Sequence, residues 1–419
     1  MERLYAAVAA PTRRNMALLL IALAVLSIVV RLGYFVVVVG TDYPLEGDEQ
    51  AYHSVAESFV EGNGWQDYAG RKSFLPPVFP AVLVAAYAVA GPHEGVARAV
   101  SLLIASLVAP LVFLLVRELL PGRAAVAMLS AAAWAVYPPA VYYANKALTE
   151  NLAALLAVAS VLSFVVAGKT GRGWAAAATG AVWAAAALNR PAFLFFPLFV
   201  VAAQAAMSRL KGVQWRWSAR QWALGLTAFI AVIAPWTVRN YVEHGVFMPV
   251  HSAGGIVLWI CNGDLTHPLV QAGMFYVGDP DDVAYLSLLP EAEADAVSQG
   301  WAIDEIKRNW RLLPAPVLNR AKNFWTPRPD PYDPSLTFND IVMWVFFGPV
   351  LVLFVGSALL HRWRLSWPLT ATIAFAFMMT LPFWGSPRFR FPVDTLIIVF
   401  AAACLADVAT RIRTLWAKR

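Results

Sequence analysis

Cysteine is almost absent, with two in 419 residues. Cys261 and Cys404 offer no metal-site spacing and no disulfide framework. Charge is scarce too. Only 14% of residues are charged, against about 25% in soluble domains, which excludes an ordinary water-soluble chain. The net charge of +6 is small and much of it flanks apolar runs. That pattern fits headgroup anchoring and argues against nucleic acid as a partner. No internal repeat and no low-complexity linker is visible. His251 and His267 lack metal-ligand spacing and read as solvated loop residues.

What is present is hydrophobic: 60% of the chain, in long blocks, with 17 tryptophans suited to interfacial belts. An all-α integral membrane protein is expected. A helical crossing needs about 20 apolar residues. Ten runs qualify: 16–39, 98–116, 123–143, 148–168, 173–188, 191–208, 221–238, 341–360, 366–383 and 391–409. The first is too long for a signal-peptide core and no small-residue cleavage site follows, so it is expected to be retained. An eleventh run, 77–91, starts with prolines and is short.

Charge decides that case. Arg13 and Arg14, the segment 209–220 with Arg209, Lys211, Arg216 and Arg220, and the tail with Arg411, Arg413, Lys418 and Arg419 should all be cytoplasmic. Ten spans put them there, together with Arg362 and Arg364; an eleventh breaks the agreement. Segment 77–91 is therefore expected to lie at the outer interface. The resulting organisation is a seven-span module (1–240) with a first outer loop at 40–97, an extracytoplasmic loop at 241–340, and three further spans (341–419). The long loop holds thirteen acids and six bases, and 291–312, bounded by Pro290 and Pro314, is patterned as a helix. The expected location is the plasma (inner) membrane with both termini inside.

This topology collects polar residues at one membrane edge. The first loop supplies Asp48, Glu49, Tyr52, His53, Arg71 and Lys72. Asn145, Lys146, Glu150, Asn189, Arg190, Arg239, Asn240, Arg388 and Arg390 come from later segments. Ionisable groups at membrane depth are costly and default to function. Arginines at headgroup level suit a lipid phosphate, because the guanidinium fork matches its oxygens. A nearby carboxylate could take a proton from an acceptor hydroxyl. A phosphate is a competent leaving group once its charge is neutralised. A divalent cation (Mg, Mn or Ca) on Asp48 and Glu150 could act in the same way. Each piece also has a plainer reading. Asp48 after Gly47 could cap the following helix, Glu150 could complement a helix N-terminus, and Arg71, Lys72, Arg190 and Arg239 could anchor or snorkel. The functional reading rests on convergence.

The stretches "GDEQAYHSVAESFVEGNGW", "FLPPVFP", "LTENLAALL", "LNRP", "PWTVRNYVEHGVFMPVHSAGG", "CNGD" and "PRFRFP" occur in this order. The chain resembles the membrane glycosyltransferases of the GT-C fold. It is most similar to the bacterial and archaeal relatives of protein O-mannosyltransferases and of the lipid A aminoarabinose transferase. The resemblance covers nearly the whole chain. It implies a polyprenyl-phosphate sugar donor, inversion at the anomeric centre, and a glycan, lipid or protein acceptor on the outer face. It implies that Asp48, with Glu49 beside it, is the catalytic or acceptor-orienting carboxylate. Glu150 falls where the family has a second outer acid, often Asp. Arg388 and Arg390 match basic residues of the late outer loop. The aminoarabinose transferase carries a Lys before its paired prolines; here "RKSFLPP" passes that role to Arg71 or Lys72. Arg190 and Arg239 complete the expected phosphate set. Tyr52, Lys146, Asn240, His251 and Asn262 are the expected sugar or acceptor contacts. Two other readings stay open: a transporter or flippase of lipid-linked sugars, which should show internal repeats and midplane polar groups, and a non-catalytic envelope-assembly subunit.

Overall fold

The computed structural model describes residues 13–40, 43–209, 216–328, 335–359 and 366–416. Lys211, Asp330, Asp333, Arg362, Arg364, Lys418 and Arg419, part of the charge argument, lie outside the described residues. Every regular element among the described residues is helical.

Helix α1 (Arg13–Tyr34) runs on into a π turn, Phe35–Val39, and turns Leu18, Ile21, Val25, Val29 and Val36 outward. After α2 (Asp48–Val60) and α3 (Val78–Ala90) come α4 (Glu94–Leu119), α5 (Ala124–Ala135) and α6 (Pro138–Ala144). The last two are one apolar stretch bent by 51°. The cause is Pro138-Pro139, which lacks the amide donors a continuous helix needs. Next are α7 (Thr149–Thr170), α8 (Gly173–Asn189), a 3-10 turn (Pro191–Phe195) leading into α9 (Phe196–Met207), and α10 (Ala219–His244). A capping box, Ser218 with Gln221, starts α10. Helices α8 and α10 meet at Gly180 and Gly225. A Cβ on Gly180 would lie 1.9 Å from the Gly225 carbonyl oxygen, so this close approach requires glycine.

Beyond α10, the described residues up to 328 form five α-helices: α11 (Gly254–Asn262), α12 (Pro268–Gln271), α13 (Pro280–Leu288), α14 (Glu291–Arg308) and α15 (Pro314–Trp325). The expected helix at 291–312 is α14 plus a 3-10 turn at Trp310–Leu312. The chain ends with α16 (Phe338–Leu359), α17 (Trp367–Thr380) and α18 (Pro387–Trp416).

All ten runs read as spans are helical. Among the described residues six helices are long and apolar enough to cross a membrane, and the bent α5–α6 pair would make a seventh. The chain is a multi-pass membrane protein. Helix α8 has 17 residues and α17 has 14, so they and the Pro191–Met207 segment fall short of that length test. Segment 77–91 is a helix of 13 residues, α3, packed on α2 through Tyr52 and Phe79.

Helix α18 is the central post. It is buried on all sides over Phe391–Cys404, where Asp394 and Thr395 are the polar exceptions, and α4, α5 and α7 supply most of the rest of the main core. The tryptophans divide: Trp174, Trp310, Trp344 and Trp416 are exposed, whereas Trp134, Trp183, Trp217, Trp259 and Trp367 are buried. Trp183 and Trp217 stack on each other and on Phe164. Alanine-rich helices leave room that a large ring fills.

Candidate active site

Asp48 opens α2, Glu150 sits in the first turn of α7, Arg190 ends α8, and Arg388 lies in the first turn of α18. Four helix ends from distant parts of the chain thus meet at one point. Arg388 Nη2 donates to Asp48 Oδ2 at 2.7 Å, and Arg388 Nε donates to Glu150 Oε1. Arg190 Nη2 reaches the same Glu150 oxygen at 2.9 Å. Glu150 is fully buried, while the Asp48 side chain is 56% exposed. Two guanidinium groups surround the buried carboxylate as counter-charge, and the arrangement sets two basic groups against two acidic ones. Several polar atoms at the cluster stay open. Asp48 Oδ1 and Arg388 Nη1 have no partner among the described residues, and Glu150 Oε2, Asn189 Oδ1 and Arg190 Nε are buried without one. Phe389 forms a wall, with the Arg190 guanidinium 5.6 Å from its ring centre.

Tyr52 is buried beside this cluster. Burial raises its pKa, and the charges of Asp48 and Glu150 raise it further, so the phenol keeps its proton. Glu49 faces away from Asp48. Its Oε1 accepts from the Ala147 amide at 2.8 Å and its Oε2 from Lys146 Nζ at 3.1 Å. Lys146 also donates to the Tyr43 hydroxyl at 2.7 Å. Burial works against its charge, but the Tyr43 and Glu49 hydrogen bonds outweigh it and the ammonium pKa is raised. Glu49 and Lys146 therefore pin the segment before α7 onto α2.

Other expected site residues gather elsewhere. Arg71 pairs with Asp67 at 2.7 Å and lies over Phe74. Lys72 pairs with Glu243, and its backbone amide donates to Glu291 Oε2 at 2.8 Å. Arg239 and His244 converge on the Ser73 hydroxyl, which donates to Asn240 Oδ1 at 2.9 Å. Asn240 also donates to the Met248 and Val250 carbonyls. This second cluster stitches the first outer loop to the 241–340 loop. His251 lies beside it, half-buried, and burial lowers its pKa. Asn262 accepts from the fully buried Arg320 at 3.0 Å and donates to the Pro382 carbonyl at 2.9 Å. Arg390 is fully buried. It holds Asp394 at 2.8 Å and the Phe324 and Thr326 carbonyls, over the Phe347 ring.

Sequence reasoning placed Asn189 at the outer edge without giving it a role, and it passed over Phe389, Asp67 and Glu291. The "LNRP" and "PRFRFP" stretches contain the first two. Asp67 and Glu291 carry no local signal, since their pairing depends on loop geometry.

The carboxylates do not fit a divalent-cation cage. Asp48 and Glu150 converge on a guanidinium, and among the described residues no group of three His, Cys, Asp or Glu side chains comes together.

No protein-family model matches the sequence, and no curated protein does. Solved structures match across almost the whole chain. The oligosaccharyltransferase of Archaeoglobus fulgidus in its apo form superposes with a TM-score of 0.61 at 15% identity, covering 97% of this chain and 52% of that one. The same protein in complex with an inhibitory peptide and a dolichol-phosphate gives 0.60 at 16%, covering 96% and 51%. The chain shares the GT-C fold of this membrane glycosyltransferase. It spans about half the length of the oligosaccharyltransferase structures it matches. ArnT from Cupriavidus metallidurans bound to undecaprenyl phosphate is a more distant likeness, at 17% identity and a TM-score of 0.46, covering 94% of this chain and 79% of that one.

Proposed function

We propose that the protein is an inverting glycosyltransferase that moves a sugar from a polyprenyl-phosphate donor to an acceptor at the outer face of the plasma (inner) membrane. The observation that carries this reading is the bridge Asp48–Arg388–Glu150, with Arg190 on the same carboxylate. Fixed through Nε and Nη2, Arg388 presents Nη1 to a phosphate oxygen, and Arg190 adds positive charge. The acceptor oxygen attacks the anomeric carbon, the bond from that carbon to the phosphate oxygen breaks, and the lipid phosphate leaves with the electron pair. Asp48 Oδ1 takes the acceptor proton. The arginines stabilise charge growing on the leaving phosphate, which removes the need for a general acid. Glu150 keeps both guanidinium groups in place.

The proposal places Arg71, Lys72 and Arg239 at the rim of the donor site, with Asn240 and His251 behind them facing sugar or acceptor. Arg390 and Asn262 hold the surrounding helices. The spans number ten, the termini are cytoplasmic, and 241–340 covers the site between membrane modules 1–240 and 341–419. The donor comes from the membrane; the acceptor is a glycan, a lipid or a protein. The fold likeness to an oligosaccharyltransferase solved in complex with a dolichol-phosphate supports this reading, as does the gathering of polar groups at helix ends.

The test uses the purified protein in lipid nanodiscs with a polyprenyl phosphate. Wild type is expected to bind it, and Arg388→Ala to lose most of that binding. Asp48→Asn should bind the lipid yet leave membranes supplied with radiolabelled lipid-linked sugars without labelled product. Full transfer by a folded Asp48→Asn variant ends the assignment of the base. Movement of lipid-linked sugar across the bilayer with no covalent product would favour a flippase, and harmless substitution of both residues a non-catalytic subunit.

A further inference from the structure

The 241–340 loop segregates its charge. Residues 306–328 carry all six of its bases and none of its acids. Lys307 and Arg308 are paired within α14, to Asp304 and Glu305. Arg320 and Arg328 are engaged with other segments. Arg311 and Lys322 remain exposed with no acidic partner among the described residues. Large apolar side chains stand beside them: Trp310 is 63% exposed and Leu318 60%. Leu318 and Lys322 are one turn apart on the outward face of α15. The opposite face, with Pro316, Arg320 and Phe324, is buried. An amphipathic helix that opens an aliphatic and a basic side chain outward, preceded by a turn that exposes Trp310 and Arg311, has the composition of an interfacial element.

The depth of α15 in the fold decides what meets that side. At its C-terminal end, Phe324 and Trp325 form ring contacts with Phe377 of α17, and Trp325 stacks on Phe354 of α16. The Phe324 carbonyl takes a hydrogen bond from Arg390, whose guanidinium covers Phe347. Phe347 is nine residues into α16, roughly 13 Å along its axis. Helix α15 therefore ends beside the interior of a candidate span. Its 12 residues cover about 18 Å even if it stands upright, which brings Trp310 and Leu318 to headgroup level.

We infer that the Trp310–Lys322 face is seated in the outer leaflet, with Arg311 and Lys322 on the phosphates of anionic phospholipids and Trp310 and Leu318 among the upper acyl carbons. This anchors the end of the loop that borders the site, and it stands independently of the transferase reading.

Both native cysteines are buried, so a thiol-reactive fluorophore can be directed to Leu318→Cys or, as control, to Leu288→Cys on the acidic helix α13, where Leu288 is 83% exposed. The labelled full-length protein is placed in nanodiscs of phosphatidylcholine, alone or mixed with phosphatidylglycerol. A nitroxide on the upper acyl chain is expected to quench position 318 at least about twofold more than position 288, with iodide showing the reverse order. In the mixed discs, adding Arg311→Glu and Lys322→Glu should reduce the lipid quenching at 318 about twofold. Iodide quenching of 318 equal to that of 288 would overturn the proposal and leave the face to a soluble partner or to water. Lipid quenching indifferent to phosphatidylglycerol and to the two charge reversals would overturn the assignment to anionic headgroups.

Discussion

Arg388 and Arg390 lie two positions apart in "PRFRFP" and have opposite surroundings. On a helix two residues are about 200° apart, so when Arg388 faces Asp48 and Glu150, Arg390 faces Asp394 in the core. The sequence pattern groups both with the residues expected at the outer edge but carries no rotational phase, because it does not mark where α18 starts. Asp48 and Glu49 divide similarly, about 100° apart, one on the arginine and the other on Lys146. Substitutions should separate the roles. Arg388→Lys has a point charge in place of a fork and cannot hold both carboxylates at the same geometry. Turnover is expected to fall about hundredfold while thermal unfolding moves little. Glu150→Gln should do both kinds of damage, since it leaves Arg190 and Arg388 facing each other without their shared counter-charge. Turnover measured beside the melting temperature checks the pair; a Glu150→Gln variant as stable as wild type would show that the two guanidinium groups do not depend on that carboxylate.

At the scale of elements, α18 is where site and core share one helix. Its buried pair Arg390–Asp394 ties four segments: Tyr137 at the start of α6 donates to Asp394 at 2.8 Å, and Arg390 binds the end of α15 and covers Phe347 of α16. Removing one partner of a buried pair leaves an uncompensated charge and typically costs about 3–5 kcal/mol. Asp394→Ala is therefore expected to lower the unfolding temperature in detergent strongly. The double change Arg390→Met with Asp394→Leu should lower it less than Asp394→Ala alone, because no buried charge is left. Unfolding followed by scanning fluorimetry compares them directly. The helices themselves are readable: each of the ten apolar runs is helical, and Pro290 and Pro314 bracket α14. The Arg390–Asp394 pairing is also a local i,i+4 signal, yet an acid within an apolar run near an arginine reads equally as a site residue. Burial separates the two, and burial is a property of the assembled bundle.

For the whole molecule, parity makes the number of membrane crossings measurable. Positive charge in the described tail, Arg411 and Arg413, predicts that the tail is inside, and the proposed topology puts the acidic loop outside. Both hold only if an odd number of crossings separates them. Helices α16 and α18 pass the length test, while α17, with 14 residues, is short for a straight crossing, about 21 Å against a hydrocarbon core of about 30 Å. Its first residues, Trp367 and Pro368, are buried, as is Thr380 at its end. The helix is thus shielded by neighbours at both ends, where a short span can be tolerated because protein and not lipid surrounds its exposed backbone. The pair α8 and α9 bears on parity differently. If both failed to cross, everything after them would keep its side; if α17 failed, the tail would move to the outer face. Leu288→Cys and Thr414→Cys, each exposed and introduced beside two buried native cysteines, report on the two sides. A membrane-impermeant maleimide applied to intact cells should label position 288 at once and position 414 only after permeabilisation. Labelling of both in intact cells would mean that α17 turns back within the membrane. The site would then still stand, because Asp48, Glu150, Arg190 and Arg388 are brought together by helix ends that do not depend on which side the tail occupies.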